Sequence, residues 1–346
     1  MKPESTLRAD TTANTGASAF GTAPAREKHF RVEDVIERSL RWLLSAQEPD
    51  GYWWGELEAD TTLESDYIPY LHVLGKLDSE KTAKLANYIR QRQLPDGGWS
   101  LFPGGPAELN ATVKAYVGLR LAGDAASEAH LLCAKAKIHE LGGLEATNSY
   151  VRFYLAMFGA IDWSHAPAVA PELMLLPLWI PFNLYEMSSW TRAIVIPMTI
   201  VYALKPSWAF PANVSVDELF KTPGAKPPSL CWNSSAISWR NAFIALDRAL
   251  KAYERLPWKP LRKTALNRAH RWMVERLERS EGLATIYPSM MNSIYALLAE
   301  GSDTSDPLVS REIGYLDRYE IEDEDTLRVQ PCISPVWDTA IAMVSL

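Results

Sequence analysis

The sequence has few of the residues on which metal sites and disulfide frameworks depend. Its 346 residues include six histidines and three widely separated cysteines, Cys133, Cys231 and Cys332. Neither residue type recurs at the short spacings of a zinc site, and an odd, sparse cysteine count is not typical of a disulfide scaffold. We therefore expect no metal site.

The sequence also lacks an excess of basic residues. Lysine and arginine number 35 against 42 aspartates and glutamates, which gives a net charge of −7. A nucleic-acid-binding protein needs a basic face to replace the counterions of the phosphates, so nucleic acid is excluded as a partner. With 47% hydrophobic residues, the chain can bury a large core.

No apolar run is long enough to cross a membrane. The two most apolar stretches, Leu173–Leu184 and Ala193–Leu204, contain 12 residues each and are interrupted by proline, whereas a spanning helix needs about 18. They predict a buried core around a broken helix. The alternative is a helix that lies in one leaflet, for which the amphipathic segment Asn241–Arg255 is a candidate.

The first residues have a different composition from the rest. Residues 1–28 are rich in serine, threonine, alanine and glycine and predict a disordered leader. They contain no continuous apolar stretch of the kind that a secretory signal requires. We therefore expect synthesis in the cytoplasm.

The sequence does contain a repeat with aromatic residues at fixed positions. Residues 42–53 and 88–99 share the frame aromatic-x4-Gln-x-Pro-Asp-Gly-x-Trp at an offset of 46 residues. The repeated positions are Gln47, Gly51 and Trp53 in the first copy and Gln93, Gly97 and Trp99 in the second. So many matches without a gap indicate a true internal repeat.

Each repeat predicts a helix, a tight turn and a returning helix. Apolar residues recur with helical spacing before each Pro-Asp-Gly, which ends the helix because proline fixes φ and glycine accepts positive φ. The returning helices are expected at Thr61–Gly75 and Thr112–Leu121. The glutamine can bond groups at a helix end, and the tryptophan can cover those bonds. The fold class is all-α, an α/α barrel of helical hairpins, with a solenoid as the other arrangement of such hairpins.

The repeat resembles the QW motif of the triterpene cyclases, and most closely that of squalene–hopene cyclases. Four further segments resemble this family: QEPDGYWWG at 47–55, LFPGGP at 101–106, NLYEMSSW at 183–190 and SPVWDT at 334–339. The resemblance extends from about Arg31 to Leu346 and matches the N-terminal half of the family.

The resemblance implies two α/α barrel domains with an apolar cavity between them. Residues 29–310 would be the first barrel, and residues 311–346 the truncated start of the second. Members of the family are monotopic proteins of the cell membrane, here expected on its cytoplasmic side. They bind squalene or a similar polyprenoid and cyclise it through carbocations without a cofactor, with aromatic rings that favour the cations.

The resemblance also implies an acid that these residues do not contain. In the family, a D-x-D-D motif downstream of S-P-V-W-D-T protonates the terminal alkene. The acidic run 322–325 reads E-D-E-D and precedes Trp337, so it predicts a solvated loop. We expect no cyclisation by this chain alone, and a C-terminal cyclase half or a second copy as its partner.

The resemblance assigns several residues to the substrate cavity or its entrance. Trp190 would line the cavity, and Trp337 with Asp338 would lie near the proton donor and support it. Met187 and Val195 would narrow the entrance channel. The alternatives are core packing for the apolar residues and a helix cap or an exposed charge for Asp338.

Two further groups of residues are assigned to the polar end of that cavity. The segment Ile286, Tyr287 and Pro288 resembles the family's I-x-P loop. Glu64 and Asp66 lie where relatives carry an E-x-E pair, with the aspartate shortened by one methylene. For these two acids the pattern alone favours a solvated helix face.

Two other functions share this architecture. A protein prenyltransferase β-subunit has an α/α barrel, but it needs a zinc site of aspartate, cysteine and histidine that is not visible in the sequence. A degenerate cyclase half could also serve as a non-catalytic lipid-binding or interaction module.

Overall fold

The computed structural model describes residues 31–77, 79–180, 183–222 and 238–346. The predicted leader at 1–28 and Cys231 lie outside the described residues. Contacts divide the chain into two compact units. In described residues, one unit comprises 31–53 with 339–346, and the other comprises the described part of 54–338.

α-Helices dominate the described part of the chain. The twelve are α1 (Val32–Ser45), α2 (Thr62–Val73), α3 (Glu80–Gln91), α4 (Leu109–Leu121), α5 (Ala129–Glu140), α6 (Ser149–Met157), α7 (Ser189–Leu204), α8 (Trp239–Glu254), α9 (Arg262–Leu277), α10 (Tyr287–Ala299), α11 (Pro307–Asp317) and α12 (Pro335–Ser345). Short 3-10 helices lie at Leu144–Ala146, Trp163–His165, Pro171–Leu175, Leu184–Glu186, Asp217–Leu219 and Leu283–Thr285. The prediction of an all-α fold built from helical hairpins is confirmed.

One small hairpin interrupts the helices. Strands β1 (Glu320–Glu322) and β2 (Leu327–Val329) pair antiparallel, with Glu320 opposite Val329. Residues 322–325, which include the turn between the strands, are exposed, so the prediction of a solvated acidic segment is confirmed.

Both copies of the repeat form the same hydrogen-bonded corner. In the first unit, the Gln47 amide donates to the carbonyl of Gly51 at 2.8 Å, and the Trp53 indole donates to the carbonyl of Leu43 at 2.7 Å. The second unit has the equivalent bonds from Gln93 to Gly97, at 2.8 Å, and from Trp99 to Ile89, at 2.7 Å. The tryptophan thus binds a helix-end carbonyl directly, in addition to covering the turn.

A threonine completes each corner from a later helix. The backbone amide of Trp99 donates to the Thr112 hydroxyl at 3.1 Å, and that of Trp53 donates to the Thr339 hydroxyl at 2.9 Å. Thr339 belongs to the S-P-V-W-D-T segment. Thr339 of this segment therefore accepts a hydrogen bond from the tryptophan amide of the first corner, as Thr112 at the start of α4 does in the second corner.

Within unit 54–338, some helices are enclosed on all sides and others keep one face in water. Almost every residue of α2 from Leu63 to Leu71 is buried, and α4 and α10 are similarly enclosed. The amphipathic helix α3 packs against α2, and α5 packs against α4. A helix that is apolar on all sides must be covered on all sides, whereas an amphipathic helix keeps one face in water.

The apolar stretches behave differently from each other. Ala193–Leu204 lies within α7 and is largely buried. The described part of the other stretch, 173–184, forms no α-helix, because Pro177 favours extended backbone before it, and Leu178 and Trp179 are exposed. The prediction of a buried core is therefore wrong for Leu178 and Trp179. Among the described residues, no helix combines the length and apolarity needed to span a bilayer.

The predicted domain boundary at residue 310 stays a prediction. Helix α11 begins at Pro307 and packs against α10, and the larger compact unit continues to Asp338.

Candidate active site

Aromatic rings form a connected cluster inside unit 54–338. Ring centroids lie 5.1 Å apart for Tyr67 and Tyr70, 6.1 Å for Tyr70 and Tyr295, and 6.4 Å for Tyr154 and Tyr295. Burial raises the pKa of all four tyrosines well above the ordinary value, so they remain neutral. Neutral rings present the negative face of their quadrupole to a nearby cation.

A small cavity of about 20 Å³ lies beside this cluster. Its lining includes the side chains of Asp66, Lys114, Tyr154 and Phe158. The ammonium of Lys114 lies 2.6 Å from the Asp66 carboxylate, 5.0 Å from the Tyr150 ring and 5.6 Å from the Tyr154 ring. The wall of the cavity therefore combines an ion pair with aromatic faces.

Asp66 and Glu64 are buried, so the interpretation that they lie on a solvated helix face is wrong. They are 8% and 2% exposed, because α2 is covered by α3, α4 and β2. Burial raises the pKa of Asp66 above its ordinary value, and the Lys114 ammonium acts in the opposite direction.

Glu64 has a different environment from Asp66. Its Oε1 accepts a hydrogen bond from the amide of Val329 at 2.8 Å, and its Oε2 has no hydrogen-bond partner among the described residues. Burial raises the pKa of Glu64 to about 8 despite the bond from Val329. The side chain is thus a neutral acid near neutral pH and holds β2 against α2.

The segment 286–288 is fixed at the start of α10. The Tyr287 hydroxyl donates to the carbonyl of Leu63 at 2.9 Å, and its amide donates to the carbonyl of Pro331 at 2.9 Å. Tyr287 is buried, whereas Ile286 and Pro288 are half-buried. The segment therefore contacts the same helix, α2, that carries Glu64 and Asp66.

The residues near α7 that were assigned to the cavity wall and entrance are more exposed than Glu64 and Asp66. Trp190, in the first turn of α7, is 65% exposed. Met187 is also exposed, and Val195 is half-buried against the core. Their assigned roles stay predictions.

Trp337 and Asp338 lie in the first turns of α12. Trp337 is 69% exposed. Asp338 is half-buried, and its Oδ2 accepts from the amide of Gly55 at 3.0 Å while its Oδ1 accepts from the Ser334 hydroxyl at 3.2 Å. Asp338 therefore holds a backbone amide in place, and any role near a proton donor stays a prediction.

Sequence reasoning did not single out three residues of this region. Lys114 forms the ion pair described above, and the Tyr154 hydroxyl donates to Asn292 Oδ1 at 2.7 Å. A lysine flanked by the apolar residues Val113 and Ala115 of α4 was the available signal for Lys114. Tyr154 and Asn292 give no such signal, because both occur often in ordinary cores and loops.

The sequence of one known protein family matches most of the chain. The model described as the squalene-hopene cyclase N-terminal domain matches residues 36–325. The chain belongs to the squalene–hopene cyclase family. Its all-α hairpin architecture is therefore the α/α toroid of that family's N-terminal domain, and the prenyltransferase interpretation is not supported.

Curated members of the cyclase family are similar to almost the whole chain. The squalene–hopene cyclase of Zymomonas mobilis is 38% identical over 332 residues, which cover 94% of this chain and 50% of the relative. That of Bradyrhizobium diazoefficiens is 35% identical, covering 93% and 50%. Dammaradiene synthase of Dryopteris crassirhizoma is 34% identical, covering 91% and 46%. The chain thus spans about half the length of the curated relatives it matches.

Proposed function

We propose that the chain is the N-terminal half of a triterpene cyclase of the squalene–hopene type. Such an enzyme is an isomerase that cyclises squalene or a similar polyprenoid through carbocations. The observation that carries this proposal is 38% identity to a squalene–hopene cyclase over 94% of the chain. The buried tyrosine cluster supports it, since neutral ring faces favour a cation in a site without water.

In this proposal, residues of the chain divide into two groups. Asp66, which lines the small cavity, and Tyr287, whose hydroxyl donates to Leu63 of α2, would contribute to the polar end of the substrate cavity. Trp190 and Trp337 contribute exposed faces that the acid-bearing half of the cyclase would cover. Asp338 would support the acid by fixing the backbone at Gly55.

We also place the chain on the cytoplasmic side of the cell membrane, as a monotopic protein. Helix α8 supports this placement because Trp239, Phe243 and Leu246 are exposed, and Trp258 shortly after it is 75% exposed. Aromatic and aliphatic side chains on one face of an amphipathic helix are typical of interfacial binding.

The proposal predicts that the chain alone does not cyclise squalene. The 346 residues contain no D-x-D-D motif, and Glu64, the neutral buried acid, is engaged with Val329. We expect no hopene or related product from the purified chain with squalene in detergent micelles, measured by gas chromatography with mass spectrometry. Mixing the chain with the separately expressed acid-bearing half of the Zymomonas mobilis enzyme should produce cyclised triterpene.

Controls separate this proposal from a non-catalytic lipid-binding module. Exchanging the central aspartate of the added D-x-D-D for asparagine should abolish product while leaving the two halves associated. Squalene binding by the chain with no product from any mixture would support the non-catalytic module instead. Product from the chain alone would contradict the proposal.

A further inference from the structure

A crevice of about 340 Å³ lies between the first turn of α7 and the C-terminal end of α9. Its lining includes three arginines, Arg192, Arg276 and Arg279. Its volume falls at the lower end of the range for small-molecule sites, about 300–1,000 Å³. It shares no lining residue with the cavity beside Asp66.

Hydrogen bonds to backbone carbonyls and one ring contact hold two of the three guanidinium groups. In the described part of the chain, none of them forms an ion pair with a carboxylate. Arg192 donates to the carbonyl of Tyr185 at 2.9 Å, and Arg276 donates to that of Trp272 at 2.9 Å. The Arg276 guanidinium also stacks on the Trp272 ring at 3.8 Å. The Arg279 side chain forms no hydrogen bond with any residue that the structure describes.

The arginines influence one another electrostatically. Burial lowers the pKa of Arg276 from its ordinary value, and the charges of Arg192 and Arg279 lower it further, while Glu275 opposes them. Clustered like charges destabilise a fold unless something binds them. An anion in the crevice would remove this repulsion.

The other walls of the crevice are suited to an anion as well. Ser189 lies in the first turn of α7, a helix of 16 residues whose N-terminal amides point away from the helix. The lining also includes Ala284 and Thr285, which have φ angles of 56° and 50°. The Tyr319 hydroxyl holds this loop by donating to the carbonyl of Thr285 at 2.9 Å. A β-branched residue in the left-handed region is a true outlier, and such strain is concentrated at ligand sites.

We propose that this crevice binds a phosphate-bearing anion through Arg192, Arg276 and Arg279. Guanidinium forks match phosphate oxygens with two parallel hydrogen bonds, and three of them suit a diphosphate better than a single carboxylate. The anion is either the phosphate or diphosphate group of a soluble ester or the headgroup of an anionic lipid. None of these three arginines is among the residues assigned above to the substrate cavity.

The test measures binding of two probes to the whole chain. Isothermal titration with inorganic diphosphate at low salt should give saturable binding that Arg279→Gln weakens about tenfold, as expected for one lost charged hydrogen bond. Arg279 is exposed and its side chain forms no hydrogen bond or ion pair with the described residues, so this variant should remain folded. Arg271→Gln, an exposed position on α9 outside the crevice, is the matched control and should change affinity less than twofold.

Co-sedimentation with vesicles distinguishes the two sources of phosphate. If the chain prefers vesicles that contain phosphatidylglycerol over pure phosphatidylcholine, and Arg279→Gln removes this preference, the ligand is a lipid headgroup. Diphosphate binding without that preference identifies a soluble ester. Absence of both, or an equal loss with Arg271→Gln, overturns the proposal, because the charges would then act only as a diffuse basic surface.

Discussion

Glu64 and Asp66 lie within one turn of α2, and different partners hold their carboxyl groups. The carboxylate of Asp66 pairs with the ammonium of Lys114, whereas that of Glu64 accepts a hydrogen bond from the backbone amide of Val329. The burial of both acids could not be predicted from the helix itself, since a Glu-x-Asp pattern is normal on a solvated face. The residues that pack on these acids determine their burial, and Val329 is 265 residues distant from Glu64 in the sequence.

Glu64→Gln should remove part of the pH dependence of stability. Because burial raises the pKa of Glu64 from 4.5 to about 8, the folded chain keeps a proton that the unfolded chain releases. The contribution of Glu64 to the free energy of unfolding therefore falls as pH rises from about 4.5 to about 8, by at most about 1.4 kcal/mol per pH unit. The glutamine retains an acceptor for Val329 and has no proton to lose, so urea denaturation at several pH values should show a shallower decline.

Asp66 also has a raised pKa and contributes a decline of the same sign. Only the difference between wild type and variant therefore reports on Glu64. Glu278→Gln, at an exposed position just after α9, is the matched control for the exchange of a glutamate for a glutamine. Parallel declines for wild type and Glu64→Gln would mean that Glu64 is already ionised in the folded chain.

At the scale of elements, the two repeat corners have the same internal bonds but different surroundings. Gly51 and Gly97 have φ angles of 87° and 88°, as the predicted turns require. A Cβ on Gly97 would lie 2.7 Å from backbone atoms of Cys133, at α5, whereas a Cβ on Gly51 would meet nothing closer than 3.9 Å. Gln93 additionally donates to the carbonyl of His130 at 2.8 Å. The second corner is therefore packed against a neighbouring helix.

Gly97→Ala should destabilise the chain more than Gly51→Ala. Both variants incur the cost of a left-handed alanine, about 1–2 kcal/mol. The new Cβ in Gly97→Ala would also collide with the backbone of Cys133. We expect this overpacking to lower the free energy of unfolding by about 1–3 kcal/mol more. The free energy of unfolding in urea measures both, and Gly123→Ala, with positive φ and an open surrounding, controls for φ alone. Equal losses at positions 51 and 97 would show that packing on α5 does not matter.

At the scale of the whole molecule, local features were predictable and long-range ones were not. The repeat predicted the helices and corners because each corner bonds within ten residues, as from Trp53 to Leu43. The hydrogen bond between Trp53 and Thr339 joins residues that are 286 positions apart, and no local sequence pattern predicts it. The same reason explains why Lys114 was missed, since its role depends on the approach of α4 to α2.

The proposed second half of the cyclase should protect particular tryptophans. Trp190 and Trp337 are 65% and 69% exposed in this chain, whereas the resemblance to the family predicts that both line a substrate cavity. Hydroxyl-radical footprinting with mass spectrometry should oxidise both in the chain alone. Adding the acid-bearing half of a squalene–hopene cyclase should lower their oxidation several-fold, because its surface would exclude water from their rings.

Two other tryptophans are internal controls for the footprinting experiment. Trp258, 75% exposed and assigned to no cavity, should be oxidised equally in both samples, and the buried Trp99 should be oxidised in neither. Protection of Trp190 and Trp337 but not of Trp258 requires that a partner surface covers those two positions specifically. If both remain as reactive as Trp258 in a mixture whose halves are associated, they do not belong to an enclosed cavity, and their assignment from the family is wrong for this chain.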